Sequence, residues 1–227
     1  MATGRKIAGS NRSPQERERL QQKVKAIVDR LSVEFPNPRT ALNFSNPLEL
    51  LVATVLSAQC TDQRVNEVTA SLFRKYKSAR DYVSVPREVL EEEVRPTGYY
   101  RQKAKALQEI CQALEERHGG TVPSDLEELM SLPGVGRKTA NLIRSEAFGE
   151  PGIIVDTHVK RVAQRIGLTT ESDPMKIEFD LMDFVPRELW SKLSNLLILH
   201  GRKTCSARRP LCCQCAIREL CEYPQKS

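Results

Sequence analysis

Apolar residues recur at helical spacing along almost the whole chain. Leu20, Val24, Ile27, Val28 and Leu31 fall on one face of a helix predicted over 14–35, which Pro36 and Pro38 close. The same period predicts helices over 47–57, 62–76, 86–94, 99–118, 124–130, 137–148, 157–166, 174–184 and 186–200. Some of their starts carry explicit cap chemistry. Ser124 with Glu127 reads as a capping box after Pro123, and Asp173 precedes Pro174, a residue suited to the first helical position. No two segments alternate with the period of two that paired strands need, and no unit repeats every 20 to 50 residues as in a solenoid. The expected fold is all-α, about ten helices with a cysteine-rich tail.

A chain of 227 residues holds one large domain or two small ones. Hydrophobic residues at 40% and charged residues at 28% are globular values and exclude wholesale disorder. The longest apolar run, LLVATVL at 50–56, falls far short of the roughly 20 residues that span a bilayer. No apolar stretch follows the basic N-terminus as a signal peptide requires, so neither membrane insertion nor ordinary secretion is expected. Lys and Arg outnumber Asp and Glu by 35 to 29, and the resulting +6 favours a polyanionic partner. Aromatics at 5% argue against a surface of stacked single-stranded bases and for duplex or backbone recognition. Residues 1–13 carry Arg5, Lys6 and Arg12 with no acid, and read as a solvated basic tail.

Leu132-Pro133-Gly134-Val135-Gly136 joins two predicted helices through a turn whose two glycines permit positive φ and close backbone approach. The helix beyond it opens with unpaired N–H groups and a positive dipole end, an anion site suited to phosphate; a plain tight connection is the bland alternative. Lys138 sits in the first turn of that helix beside Arg137, the wrong end for a structural lysine. The same field favours the neutral amine, the form that attacks an electrophilic carbon, although a solvated or phosphate-binding lysine is the commoner case for such a residue taken alone. Further on, Gly152-Ile153-Ile154-Val155 leads into Asp156-Thr157-His158, with Asp156 at an N-cap position. A cap fixes a carboxylate without excluding a second role for it.

Seven cysteines without a secretory signal point to metal binding or catalysis rather than disulfides. Cys205, Cys212, Cys215 and Cys221 form C-x6-C-x2-C-x5-C, enough thiolates for a tetrahedral zinc or an iron–sulfur cluster. One short Cys pair instead of two tilts the choice slightly towards iron–sulfur. Cys213 is an extra neighbour, while Cys60, just before the helix predicted over 62–76, and Cys111, on a predicted helix, read as core residues. Residues 200–227 hold six Lys or Arg against two acids, and Arg208 and Arg209 between the first two ligands suit phosphate contact.

LPGVGRKTANLI followed by VDTHVKRVAQR resembles the helix-hairpin-helix DNA glycosylases, and specifically the endonuclease III group. The resemblance continues through LNFSNPLELLVATVLSAQCTDQRVN, residues 98–107, LILHGRKTC and the final cysteines, so it covers nearly everything after the basic tail. It implies two helical domains with the active-site cleft between them: a six-helix domain with the hairpin at 40–150, and a discontinuous cluster domain from 14–39 plus 151–227. It implies that Lys138 is the nucleophile and Asp156 its assistant, in a bifunctional DNA glycosylase and abasic-site lyase of base excision repair. Such an enzyme releases an oxidised pyrimidine from duplex DNA, then cuts 3′ to the abasic site by β-elimination through a lysine Schiff base. A [4Fe-4S] cluster on the four cysteines follows from the same resemblance, as do DNA contacts at Gly134, Gly136, Arg137, Arg208 and Arg209.

Such enzymes fill the hole left by the extruded nucleotide, which here implies Gln59 of LSAQ. An apolar wedge helps beside the Gly-Tyr motif. At that place the chain reads Thr97-Gly98-Tyr99, where the bacterial enzymes carry aliphatic residues, and Tyr99 becomes the wedge. The implied partner is duplex DNA with a damaged base or an abasic site, met by a monomer in a bacterial cytoplasm, associated with the nucleoid through DNA. The rival readings are a thymine-mismatch or adenine glycosylase, and a non-enzymatic helix-hairpin-helix DNA-binding protein with a zinc-stabilised tail.

Overall fold

The computed structural model describes residues 12–224, and among them there are eleven α-helices, four 3-10 turns and no strand. The helices are α1 (Pro14–Glu34), α2 (Pro47–Leu56), α3 (Asp62–Lys75), α4 (Ala79–Ser84), α5 (Arg87–Val94), α6 (Tyr100–His118), α7 (Leu126–Met130), α8 (Arg137–Phe148), α9 (Thr157–Arg165), α10 (Pro174–Phe184) and α11 (Trp190–Lys203). A 3-10 turn at Arg95–Thr97 precedes α6, and another at Arg187–Leu189 leads into α11, which therefore begins later and ends later than the period predicts.

Local chemistry sets many of these starts. Ser13, Asn46 and Asp173 each accept a hydrogen bond from the third helical N–H, with proline at the first helical position behind them. The expected box of Ser124 with Glu127 is not formed. Asp125, one residue later, is the N-cap, taking the N–H groups of Glu127 at 2.8 Å and Glu128 at 3.1 Å on one oxygen. A carboxylate adjacent to a serine wins because it is the charged acceptor at the positive end of the helix.

The chain divides into two compact units. Residues 40–150 form one of them, and they hold the six helices expected there plus α4 as a seventh. α4 and α5 pack on α6, and α2 packs on α8, around a core that includes Leu50, Leu51, Leu56, Leu72, Leu90, Leu107, Leu114 and Ile143. The other unit comprises residues 1–39 and 151–227. Here α11 lies against α9 and α1, and α1 also meets α10. All five apolar residues that defined the first predicted helix are buried in this core, with Val159, Val162, Leu181, Phe184, Leu196, Leu197 and Ile217.

The solvated basic tail expected at 1–13 falls outside the described residues for 1–11, while the side chains of its last two positions, Arg12 and Ser13, are held by hydrogen bonds. Arg12 pairs with Asp180 through both guanidinium nitrogens, at 2.5 and 2.9 Å, and its guanidinium lies 5.1 Å from the Phe184 ring centre. Ser13 is the α1 cap. Further along α1, Lys23 pairs with Glu222 at 2.6 Å and Arg30 with Glu219 at 3.0 Å, tying the C-terminal segment to the same helix.

Candidate active site and nucleic-acid interface

In the unit of residues 40–150, Leu132 and Val135 are buried and the Val135 N–H donates to the Leu132 carbonyl at 3.1 Å, which closes the turn between α7 and α8. Gly134 has φ of +71°, a conformation that side chains other than glycine resist. Gly136 is the N-cap of α8 and supplies no side chain to its first-turn N–H groups. A Cβ on either glycine would meet nothing within 4 Å, so the backbone is bare on that side. A helix that starts on a glycine offers an anion its positive end with no capping side chain to compete. Lys138 is exposed in the first turn of the same helix, and Arg137 is half-buried beside it.

Gln59 and Tyr99 are the two non-glycine residues with positive φ among the described residues, at +52° and +49°. Left-handed backbone in a glutamine and a tyrosine costs about 1–2 kcal/mol each, and such strain collects at working sites. Both side chains are exposed, Tyr99 by 59%. Together with Gly134, Thr139 and Lys103 they line one open cavity of about 280 Å³. Thr97, expected with them at the DNA, is not presented there: it is 2% exposed and its hydroxyl donates to the Val94 carbonyl at 2.7 Å. The reversal of chain direction through Gly98, φ +70°, turns Tyr99 out where Thr97 is turned in.

In the unit of residues 1–39 and 151–227, Asp156 caps α9 as expected. One oxygen, Oδ1, takes the N–H groups of His158 at 2.8 Å and Val159 at 2.7 Å, so the cap holds the carboxylate without using Oδ2. Asp156 is half-buried, at the end of the apolar segment Ile153, Ile154 and Val155 that is packed inside.

Cys205, Cys212, Cys215 and Cys221 line one small cavity with His200, Thr204, Arg165 and Tyr223. Among the described residues no group of three His, Cys, Asp or Glu is set to hold a metal ion. The donors suit a sulfur-rich anionic group. Arg165 Nη1 lies 3.3 Å from Cys205 Sγ, and the Tyr223 N–H points at Cys221 Sγ from 3.5 Å. Arg165 also donates to the carbonyls of Ser206 at 2.7 Å and Ala207 at 2.8 Å, and the Leu211 N–H donates to the Thr204 carbonyl at 2.9 Å. These bonds fold the segment between the first two cysteines into a braced loop on which Arg208 and Arg209 are exposed. Cys213 is exposed and does not line the cavity. Cys111 is core, with burial pushing its thiol up to about 12, and Cys60 packs partly buried against the same core.

Sequence reasoning missed Lys103, Arg161 and Arg165. Arg161 bonds the carbonyls of Cys205 and Gly201, at 3.1 and 2.9 Å. Both arginines sit on the polar side of α9, where nothing in the spacing separates a brace from a solvated charge. Lys103 did carry a signal, since it precedes Leu107 by four residues and Ile110 by seven on the apolar face of α6.

Known proteins place this architecture. Residues 52–187 match the family described as HhH-GPD superfamily base excision DNA repair protein. The chain is 47% identical to endonuclease III of Bacillus subtilis over 89% of its own length and 93% of that protein's. It is 46% identical to endonuclease III of Synechocystis over 91% and 94%. A solved structure of a trapped endonuclease III–DNA covalent intermediate with an estranged adenine superposes with a TM-score of 0.84 at 45% identity, covering 89% of this chain and 95% of that one. A thermostable thymine-DNA glycosylase shares the fold, with a TM-score of 0.82 at 24% identity. The chain belongs to the endonuclease III family within the HhH-GPD superfamily of base excision DNA repair proteins.

Proposed function

We propose that this base excision repair DNA glycosylase and abasic-site lyase acts on oxidised pyrimidines in duplex DNA. Lys138 is its nucleophile and Asp156 the carboxylate that assists. The observation that carries this reading is the exposed amine of Lys138 in the first turn of α8, directly behind a bare glycine turn able to seat a phosphate. Loss of the base leaves the sugar electron-poor at C1′, where a carboxylate stabilises the charge and a neutral amine attacks. The C1′–N bond breaks as the C1′–Nζ bond forms, the base leaves with the bonding pair and takes a proton from solvent, and transfer of a proton from Nζ to the ring oxygen as the C1′–O bond opens gives a protonated Schiff base. That iminium acidifies C2′–H, and loss of this proton expels the 3′ phosphate, which cuts the strand. Gly134, Gly136 and Arg137 hold backbone phosphate, Gln59 fills the vacated stack, and Tyr99 wedges it. One copy of the chain suffices, acting on duplex DNA in a bacterial cytoplasm.

The test is borohydride trapping and single-turnover base release on duplexes carrying thymine glycol, a G·T mismatch, or oxoguanine opposite adenine. A saturated ring stacks poorly and costs less to extrude, so thymine glycol is expected to be released fastest. Faster release from either other duplex would move the substrate to the mismatch or adenine class.

We also propose a [4Fe-4S] cluster on Cys205, Cys212, Cys215 and Cys221. Four cysteines lining one cavity, with an arginine and a backbone N–H directed at two of the sulfurs, suit a thiolate-bound group, and the family resemblance makes it iron–sulfur. When bound, such a cluster pins both ends of the loop that carries Arg208 and Arg209 to the fold, and base removal and β-elimination involve no net electron transfer. Purified protein should be yellow-brown with broad absorbance near about 400 nm and should contain iron. Colourless active protein with stoichiometric zinc would reverse the assignment.

Arg208 and Arg209 are assigned to phosphate. Replacing both by Ala should weaken binding to damaged and undamaged duplex alike and lower the slope of log affinity against log salt by about 1–2. A loss confined to damaged duplex would place them at the lesion instead.

A further inference from the structure

The inward face of α6 consists of Lys103, Ala104, Leu107, Ile110, Cys111, Ala113 and Leu114, and Lys103 is its one charged member. Lys103 is 4% exposed. Its ammonium donates to two backbone carbonyls, Leu56 at 2.8 Å and Thr97 at 2.7 Å. Burial draws its pKa below the ordinary lysine value, so the site holds the charge by geometry and against its solvation preference. An apolar residue of similar length would fill this space without a buried charge, so packing alone gives no reason for a lysine here.

The two carbonyls explain its placement. Leu56 is the last residue of α2, three before Gln59, and Thr97 is the last residue of its 3-10 turn, two before Tyr99. Gln59 and Tyr99 are the strained pair, and conformations of this kind persist only where the surroundings fix them. An ammonium is also well suited to a helix C-terminus, where the last carbonyls lack helical partners and carry the negative end of the dipole. Lys103 joins the two segments at their bases, and the same three residues line one cavity.

We propose that Lys103 is a positioning residue for lesion extrusion, a buried tie that fixes the Gln59 and Tyr99 loops relative to each other so that filler and wedge enter the duplex together. This rests on the reading of Gln59 and Tyr99 given above. The bland alternative is a lysine that only closes the end of α2, and the two differ in whether its loss is felt through Gln59 and Tyr99.

The experiment is a mutant cycle on thymine glycol duplex under single-turnover conditions, with 2-aminopurine opposite the lesion to report loss of stacking. Lys103→Met keeps length and removes every donor. It should slow base release about tenfold or more and reduce the 2-aminopurine brightening seen on binding. Added to Gln59→Ala with Tyr99→Ala, it should slow release by less than about twofold further, because nothing remains to be positioned. Should Lys103→Met fail to fold, Lys103→Gln, which keeps one short donor, takes its place in every arm. A full multiplicative loss in the triple variant, or unchanged release and brightening in Lys103→Met, would overturn the tie. Silence of Gln59→Ala and Tyr99→Ala would instead overturn the reading of the two loops, and the tie with it.

Discussion

Lys138→Gln is expected to abolish the borohydride-trapped adduct and reduce strand cleavage by about a thousandfold or more, with affinity for damaged duplex kept within a few-fold. An amide matches lysine closely in reach but has no lone pair available for attack on C1′. The side chain is exposed, so the substitution disturbs no packing, and the thermal midpoint should not move. Phosphate is assigned to the open N–H groups of α8 behind Gly136 and to other cations, none of which the substitution removes. Binding and chemistry therefore separate in this variant. A non-enzymatic hairpin protein would bind DNA and never form the adduct in the wild type. Adduct persisting in Lys138→Gln would pass the nucleophile to another amine.

Much of the fold was legible because helix starts carry local chemistry. Ser13-Pro14, Asn46-Pro47 and Asp173-Pro174 each combine a capping side chain with a residue preset for the first turn, and the helices begin there. α4 escaped notice because six residues give one buried pair, Ala79 and Tyr82, too little for a period to show. Its start nonetheless carries a full capping box between Ser78 and Asp81. Ser124 and Asp125 were adjacent caps, and periodicity cannot choose between neighbours.

The candidate site was legible in its local placement: Lys138 falls in the first turn of α8, Asp156 caps α9 and the four cysteines line one cavity, as the spacing predicts, while the roles proposed for them come from the family resemblance. It was illegible where the outcome depends on the sign of a backbone angle. Thr97 and Tyr99 are two residues apart, yet one is packed inside and the other is exposed, and Gly98 between them has φ of +70°. The buried Lys103 obeyed the helical period, but a charge on an apolar face is read first as an interruption of that face. Only its two carbonyl partners, 47 and 6 residues away in sequence, reveal what it joins.

Asp156→Asn separates the two duties of one carboxylate. As a cap, Asp156 accepts two N–H groups on Oδ1, at 2.8 and 2.7 Å, and asparagine caps helices about as well as aspartate. The variant should therefore fold and melt close to wild type, short only of the few tenths to about 1 kcal/mol that a negative charge gains at a helix N-terminus. What it loses is the charge on the half-buried oxygen the cap does not use, the charge that the proposed function assigns to stabilising the positive sugar intermediate. Base release under single-turnover conditions is expected to fall by more than about tenfold, towards a hundredfold. Asp156→Ala supplies the contrast, because it removes cap and charge together and should add about 1 kcal/mol of destabilisation to a similar loss of rate. If Asp156→Asn releases base at the wild-type rate while Asp156→Ala melts early, the residue is a cap alone. The stabilisation of C1′ would then have to come from another group.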